Sequence, residues 1–275
     1  MSKVEVVSVI EPSTGFSLKL DELWRYREVM FFLTWRDIKV RYKQTVLGVA
    51  WAILQPLLAM LVFTIVFGRI AKLPSDGLPY PVFVYVALIP WTFFANGHTQ
   101  ASNSLVGNAN LLKKVYLPRL ALPISSVLSC VVDLACALLI LAVMLPYYRI
   151  AVTPTILWIP VFALLAFGCA LGVGTWLAAL NVQYRDVRYA LPFVTQLWLF
   201  ATPIAYSTQL VDPAWRGIYA LNPMVGVIEG FRWAVFGSSA LTLEVAVSSV
   251  LSTSALLVGG GWYFRRVERT FADRL

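Results

Sequence analysis

Long stretches of this chain carry no charged side chain, and they leave few ways for it to fold. The charge-free stretches are residues 44–68, 77–112, 150–184, 189–211 and 245–264. Residues 120–148 contain a single charge, that of Asp133. The composition agrees, since 59% of residues are hydrophobic, 13% are charged, and the mean hydropathy is +0.75. Such a chain is not an ordinary soluble domain, and the pattern predicts an all-α membrane protein.

A bilayer core is crossed by about 20 consecutive apolar residues in a helix. On this basis the sequence predicts six transmembrane helices, near residues 47–69, 80–103, 120–146, 155–180, 190–207 and 243–264. They form one membrane domain over residues 21–265, with a cytosolic lead at 1–20 and a cytosolic tail at 266–275.

The basic residues indicate the orientation, because cytoplasmic loops are enriched in Lys and Arg. With both termini in the cytoplasm, 17 of the 22 basic residues lie on cytoplasmic segments. The outer segments then hold Arg69, Lys72, Arg149, Arg216 and Arg232. The net charge of +8 is therefore mainly a topology signal and gives no reason to expect nucleic acid as a partner.

Residues 21–45 predict an amphipathic helix in the membrane interface. Its apolar face, at helical spacings of three, four and seven, comprises Trp24, Phe31, Trp35, Ile38 and Tyr42. Glu28 interrupts this face. The adjoining face is cationic and comprises Arg25, Arg36, Lys39 and Lys43. The helix leads directly into the first predicted span, which gives the cytoplasmic side a cationic collar facing water and lipid phosphates.

The cytosolic connection at 104–119 contains a second amphipathic segment. Asn110 is a suitable cap for a short helix that begins at Leu111, and Pro118 would end it. A helix of about two turns is unstable alone in water, so we expect it to dock on another surface. The alternative is an ordinary charged loop that only sets the topology.

The outer segment at 207–241 is neither a free loop nor a continuous span. Asn222 and Pro223 are typical of a helix start, and Gly237 is a natural stop. Glu229 and Arg232 are spaced to pair on that helix. We interpret the segment as two short helices that dip back toward the outer leaflet, which would mark the mouth of a pathway. The alternative is an amphipathic flap on the membrane surface.

Polar and small residues inside the spans have structural interpretations. Asp133 is the only ionisable residue deep in a span, and we favour a hydrogen bond or pair with a polar group of a neighbouring helix over a proton relay. Gly168, Gly172 and Gly174 predict close helix packing in the fourth span. The three cysteines also lie inside predicted spans and are expected to be packing residues.

Aromatic side chains make up 14% of the residues, including ten Trp. Their flat apolar faces can contact the C–H faces of sugars, and together they could line a path for a varied polymer. The candidates are Trp51, Phe63, Trp91, Phe94, Trp176 and Trp198. The alternative for each ring is anchoring at the membrane surface or core packing.

Motifs for chemistry are missing from the sequence. There is no GxxxxGK[ST] phosphate loop, no acidic pair, no nucleophile elbow and no metal motif, and His98 is the only histidine. We therefore expect no catalytic residue, no metal and no cofactor bound by this chain.

Five collinear motifs resemble those of type-two ABC export permeases. They are residues 35–48 with Trp51 and 55–56, residues 90–94, residues 108–110 with 114–119, residues 181–188, and residues 222–224 with 229–232. Within that superfamily the chain is similar to membrane subunits that export O-antigen, capsule or teichoic-acid polymers, over about residues 20–265.

The resemblance implies a homodimer in the bacterial inner membrane, with two copies of a separate ATPase subunit that binds ATP and Mg²⁺. The substrate would be a polysaccharide on a polyprenyl diphosphate lipid, moved through a channel at the dimer axis. Coupling to the ATPase would involve Asn110, Leu111, Lys113, Lys114, Tyr116 and Arg119. The substrate headgroup would meet Arg36, Lys39, Arg41 and Lys43. The outer gate would comprise Asn222, Pro223, Glu229 and Arg232.

Two other interpretations stay open at this point. A type-two permease could carry another lipid-like or small-molecule substrate, although the outer loops here are short for that group. A membrane enzyme acting on a polyprenyl lipid would share the basic collar, but it would need an acidic pair or metal ligands near a membrane face.

Overall fold

The computed structural model describes residues 20–43, 48–184, 186–237, 241–268 and 271. The predicted lead, apart from Leu20, lies outside these residues, as do positions 44–45 of the predicted interfacial helix and most of the predicted tail. Within the described residues the protein is helical, without β-strands. The α-helices are α1 (Leu20–Arg25), α2 (Arg27–Lys43), α3 (Gly48–Phe63), α4 (Tyr80–Gly107), α5 (Ala109–Lys114), α6 (Ala121–Ser129), α7 (Val131–Tyr147), α8 (Ile159–Gln183), α9 (Val187–Phe200), α10 (Pro213–Tyr219), α11 (Pro223–Phe236) and α12 (Leu243–Val267).

Five of the six predicted spans correspond to helices that are long and apolar enough to cross a membrane. Among the described residues these are Ala50–Ile70, Tyr80–Gly107, Ala121–Tyr147, Pro154–Gln183 and Leu243–Val267. The first ends in a π-helical segment, Thr64–Ile70. The third is divided at Cys130 into α6 and α7, and the fourth begins with a 3-10 turn, Pro154–Trp158.

The fifth predicted span, 190–207, is not a continuous helix. Helix α9 has 14 residues and ends at Phe200, so it is about 21 Å long against a bilayer core of about 30 Å. Pro203 gives the physical reason, since proline lacks an N–H and disfavours helical geometry in the residue before it. The backbone then continues without regular structure to Tyr206.

Helix α4 is the centre of the bundle. It packs against α6, α7, α8 and α11, while α12 packs on the far side of α8. Its side chains between Val82 and Phe94 are almost all buried, and the Tyr85 hydroxyl donates to the carbonyl oxygen of Ala137 at 3.1 Å. In contrast, the apolar side chains of α3 and α9 are largely exposed. The bundle thus contains one buried inner helix, α4, and two helices, α3 and α9, whose apolar side chains are largely exposed within the protomer.

Glycines let α8 approach its neighbours closely, as the sequence predicts for the fourth span. A Cβ atom on Gly174 would lie 2.5 Å from the Cβ of Ala101 in α4. One on Gly172 would lie 2.9 Å from the backbone of Leu256 in α12. Both distances are below normal carbon contacts, so the packing of α8 on two sides depends on the missing side chains.

The contact between α4 and α8 gives the first prediction. Gly174→Ala should lower the free energy of unfolding by roughly 1–3 kcal/mol, because the added methyl group overpacks a tight helix contact. Thermal unfolding in mild detergent measures this as a lower midpoint. Ala101→Gly on the same background should restore part of the loss, since it removes the opposing methyl group.

Gly107→Ala is the matched control, because nothing lies within 4 Å of a Cβ at that helix end. Equal unfolding midpoints for Gly174→Ala and the unmodified protein would contradict the packing described here.

Candidate functional site

Helix α2 is attached to the third span and runs beside α6 in the same direction. Near its start, the hydroxyl of Ser125 donates to the carbonyl oxygen of Met30 at 3.2 Å, and Leu33 is buried. Near its end, Arg41 reaches Ser129 and Asp133. The segment predicted as one helix over 21–45 forms two helices, α1 and α2, that are separated at Tyr26, and α2 follows the third span instead of crossing its end.

Three of the five residues of the predicted apolar face point away from the protein, whereas Ile38 and Tyr42 are half-buried. Trp24, Phe31 and Trp35 are 71%, 72% and 49% exposed, whereas the buried side chains of the segment are Leu23 and Leu33. Aromatic rings turned outward beside a membrane span suit contact with lipid. The face that packs on α6 carries small, apolar and polar residues that the amphipathic pattern does not single out.

Arg41 holds α2, α4, α6 and α7 together. One guanidinium nitrogen donates to the Asp133 carboxylate, and the other donates to the side-chain oxygens of Gln100 and Ser129, the latter at 3.2 Å. The hydroxyl of Tyr42 donates to the second oxygen of Asp133. The structural role favoured for Asp133 agrees with this network, but its partner is a charged residue that precedes the spans.

The four cations expected to meet a substrate headgroup differ in their surroundings. Arg41 is engaged in the network above, and Arg36 forms an ion pair with Asp37 at 2.8 Å. Lys39 and Lys43 are exposed on the same helix. The register of α2 gives a signal that sequence reasoning missed, because Arg41 is seven residues from Thr34 and eight from Leu33 and so shares their buried face.

The short helix in the cytosolic connection is α5, and it begins two residues earlier than expected. The cap position is held by Asn108, and the prediction of Asn110 as the cap is wrong. The Asn108 amide donates backward to the carbonyl oxygen of Ser104 at 2.8 Å and forms no side-chain cap. Asn110 is exposed, and α5 ends at Lys114, before Pro118.

The surface of this connection is exposed and both basic and apolar. Lys113 and Lys114 are exposed, as are Val115 at 52% and Tyr116 at 59%, and Leu111 is half-buried. The Tyr116 hydroxyl donates to the Glu22 carboxylate at 3.0 Å, and burial together with this carboxylate raises the pKa of that hydroxyl. The phenol therefore keeps its proton and connects the segment to α1.

Arg119 faces inward, unlike Lys113 and Lys114. Its guanidinium donates to the backbone carbonyl of Glu268 and lies 5.7 Å from the ring centre of Phe271. It thereby connects the end of the cytosolic segment to the end of α12.

The six candidate aromatic residues do not share one surface. Trp91 and Phe94 are 3% and 0% exposed inside the protomer, so they pack the core and cannot line a surface path in this conformation. The other four are at least partly exposed. Trp51 lies on the open face of α3, Phe63 is half-buried, Trp176 stacks on Tyr263, and the Trp198 indole donates to Asn222 at 3.0 Å.

The predicted start and stop of α11 are confirmed. The Asn222 side chain accepts from the backbone N–H of Met224 at 3.1 Å, Pro223 is the first helical residue, and Gly237 has a left-handed φ of 74°. The helix is buried against α4, α8 and α12. The alternative of a surface flap is therefore wrong for α11.

Glu229 and Arg232 form a buried ion pair, as their spacing predicts, at 2.9 Å and with side chains 2% and 3% exposed. The guanidinium also donates to the backbone carbonyls of Ile204 at 3.2 Å and Tyr206 at 3.4 Å, and it stacks 3.8 Å from the ring centre of Phe83. Arg232 thus supplies hydrogen-bond donors to the irregular backbone that follows α9, and Glu229 balances its charge.

Comparison with known proteins bears on what this arrangement does. The family model described as ABC-2 type transporter matches residues 28–236. An O-antigen export system permease protein RfbA of Myxococcus xanthus is 30% identical, over 86% of this chain and 91% of the relative. A protein of the same name from Klebsiella pneumoniae is 28% identical, over 90% and 95%. The polysialic acid transport protein KpsM of Escherichia coli is 24% identical, over 85% and 91%.

The Arg41 network gives the second prediction. Asp133→Asn or Arg41→Gln alone should each lower the free energy of unfolding by roughly 1–3 kcal/mol, because each leaves a half-buried charge without its partner. The double variant should lose less than the sum of the single losses. Thermal unfolding of all four proteins in one detergent measures the coupling.

Lys39→Gln serves as the control, since it removes an exposed cation from the same helix. Strictly additive losses for Arg41 and Asp133 would show that the two side chains do not interact in the folded protein.

Proposed function

The chain belongs to the ABC-2 type transporter family, and from this membership we propose that it exports a lipid-linked polysaccharide, such as O-antigen, as the membrane subunit of an ATP-driven exporter. The observation that carries the proposal is the similarity to O-antigen export permeases along almost the whole chain. The transported molecule would be a polysaccharide on a polyprenyl diphosphate. The protein would lie in the bacterial inner membrane with both termini in the cytoplasm.

The energy for transport would come from two copies of a separate ATPase subunit, which would hold ATP and Mg²⁺. The sequence of this chain contains no phosphate-binding loop of its own. The docking surface would be α5 and the residues after it, where Lys113, Lys114, Val115 and Tyr116 are exposed next to Val106. Apolar side chains beside lysines suit a groove with an acidic rim.

Two copies of the chain would form the channel. Helix α3 is almost uncovered within one protomer, and α9 leaves Tyr189, Phe193, Leu197 and Phe200 more than half exposed. The spare faces of these two helices would meet their counterparts at the dimer axis. Trp51 on α3 and the partly exposed Trp198 on α9 would then be placed to contact sugar rings.

The lipid diphosphate would be bound at the cytoplasmic end of α2. Lys39 and Lys43 are exposed and one turn apart, so both ammonium groups can reach one headgroup. Arg36 lies on the same side, whereas Arg41 fixes the helix to which they belong. The anion would thus be held by cations on a helix that is attached to the third span.

ATP binding would act through the cytosolic segment. Closure of the ATPase subunits would push residues 108–119, which contact α1 through Tyr116 and the end of α12 through Arg119. The helices with the least cover in a protomer, α3 and α9, would shift at the dimer axis. The polymer would then pass in steps, each driven by one cycle of ATP binding and hydrolysis.

The third prediction concerns coupling. The triple variant Lys113→Ala, Lys114→Ala and Tyr116→Ala should separate ATP hydrolysis from export, because it removes the exposed contacts of the docking surface. In proteoliposomes with the partner ATPase, the number of ATP molecules hydrolysed per exported glycan should rise at least about fivefold, since each lost interface contact of about 1 kcal/mol weakens docking several-fold.

Tyr147→Ala is a suitable control, because Tyr147 is the last residue of α7, is 79% exposed and is not part of the docking surface. Tyr116→Phe separates the ring from its hydroxyl. If the triple variant keeps the same ratio of ATP to glycan, α5 is not the coupling element.

The fourth prediction concerns the headgroup. The variant Lys39→Ala with Lys43→Ala should raise the KM for the lipid-linked glycan about tenfold or more, since two charge-assisted contacts to the diphosphate are lost. The thermal unfolding midpoint should stay unchanged, because neither side chain is buried. A KM equal to that of the unmodified transporter would show that these lysines of α2 do not bind the headgroup.

A further inference from the structure

Two cavities lie at the end of the bundle that carries residues 71–79, and they meet at one side chain. The smaller has a volume of about 260 Å³ and is lined by Asp76, Leu78, Gln209, Glu229, Arg232 and Phe236, among others. The larger has a volume of about 470 Å³ and contains Gln209 again, with Arg216, Thr242, Glu244 and Ser248. Gln209 therefore lines both cavities, and the two together are called the cleft below.

The walls of the smaller cavity are held in place by buried contacts. Glu229 and Arg232 are fixed by each other and by the backbone carbonyls after α9, and the Thr208 hydroxyl donates to Glu229. Asp76 is fixed as well, because the Ser207 hydroxyl donates to its carboxylate at 2.9 Å. Asp76 itself has a left-handed φ of 52°, which few residue types other than glycine adopt readily. The cavity is a built feature of this end of the protein.

The lining combines planar polar groups with apolar surface. The exposed side chains of Asp76, Gln209, Arg216 and Glu244 offer both donors and acceptors, and sugar hydroxyl groups can use both. Leu78 and Phe236 offer apolar surface to the C–H groups of a ring. The larger volume lies within the range of about 300–1,000 Å³ that small-ligand pockets occupy, and the smaller lies just below it.

The charges of the lining argue for an uncharged ligand. Two arginines, Arg216 and Arg232, stand against three carboxylates, Asp76, Glu229 and Glu244. Glu229 and Arg232 neutralise each other at 2.9 Å, so the remaining charges leave an excess of one negative charge. A polyanion would be repelled by this excess negative charge.

We propose that this cleft is a saccharide-binding site for the emerging polymer, with preference for uncharged sugar units over acidic ones. The proposal rests on the proposed function, which supplies both the polysaccharide and the outward orientation of this end. Thr208 and Gln209 line the cleft and belong to the segment that follows α9, so a bound sugar would contact the segment that comes after one of the two uncovered helices.

The test uses the complete transporter, with its ATPase subunit, in lipid nanodiscs. The probes are short linear oligosaccharides of galactose, mannose and rhamnose, together with a sialic acid oligomer of the same length. Saturation-transfer NMR and titration calorimetry measure binding. At least one neutral oligosaccharide should bind, and the acidic oligomer should bind about tenfold more weakly, given one excess negative charge near the site.

Two variants with opposite expectations make the test specific. Gln209→Ala should weaken every neutral ligand about fivefold to tenfold, because it removes an amide that lines both cavities. Asp76→Asn keeps the shape and also tolerates a left-handed backbone, but it removes the excess charge, so binding of the acidic oligomer should improve. Leu210→Ala is the matched control, since this neighbour of Gln209 is 55% exposed and does not line either cavity.

Several results would overturn the proposal. These are no binding of any neutral oligosaccharide, equal binding in Gln209→Ala and Leu210→Ala, or an acidic oligomer bound as well as the neutral ones. Export of lipid-linked glycan by the same complex reconstituted in proteoliposomes separates the two levels of inference. If the complex exports glycan but binds no oligosaccharide, only the proposal for the cleft is refuted. If the unmodified complex shows no glycan-dependent transport, the proposed function itself is refuted.

Discussion

Backbone polar groups that reach membrane depth must find partners within the protein, and one arginine meets this requirement for two carbonyls of the irregular segment after α9. Helix α9 stops at Phe200, and the carbonyls of Ile204 and Tyr206 would otherwise lack helical donors. Arg232 donates to both, while Glu229 balances its charge at 2.9 Å. A short helix and an irregular segment are thus possible where a sixth continuous span would be the simpler solution.

A second ion pair has the corresponding role at the opposite end. Arg41 and Asp133 are 92 positions apart in the sequence, and their contact fixes α2 to the third span. Ion pairs of this kind add little net stability when formed but are costly to break in half. Their main effect here is to specify position. The Arg41–Asp133 pair fixes α2, which precedes α3, and the Glu229–Arg232 pair fixes the segment that follows α9.

Sequence reasoning succeeded where the determining interactions are local. The charge-free stretches located five long helices, and the start of α11 at Pro223, its end before Gly237 and the pair within it follow from neighbouring residues. It failed where the structure depends on contacts between residues that are far apart in the sequence. The partner of Asp133 lies outside its span, and the burial of Trp91 and Phe94 is invisible in the sequence because residues 81–95 of α4 are apolar on almost every side. The hydropathy pattern also predicted a continuous span at 190–207, because it does not register that Pro203 prevents α9 from continuing beyond Phe200.

Helix α4 connects the two ion pairs. Gln100 near one end accepts a hydrogen bond from Arg41, and the ring of Phe83 near the other end lies under Arg232. The helix has 28 residues, a length of about 42 Å, and is buried along most of it. A displacement of α4 would break both networks and the close contact at Gly174. Movement during transport should therefore be concentrated in α3 and α9, whose faces lose few contacts within the protomer when they move, while α4 keeps α5 and the cleft at Gln209 at a constant distance.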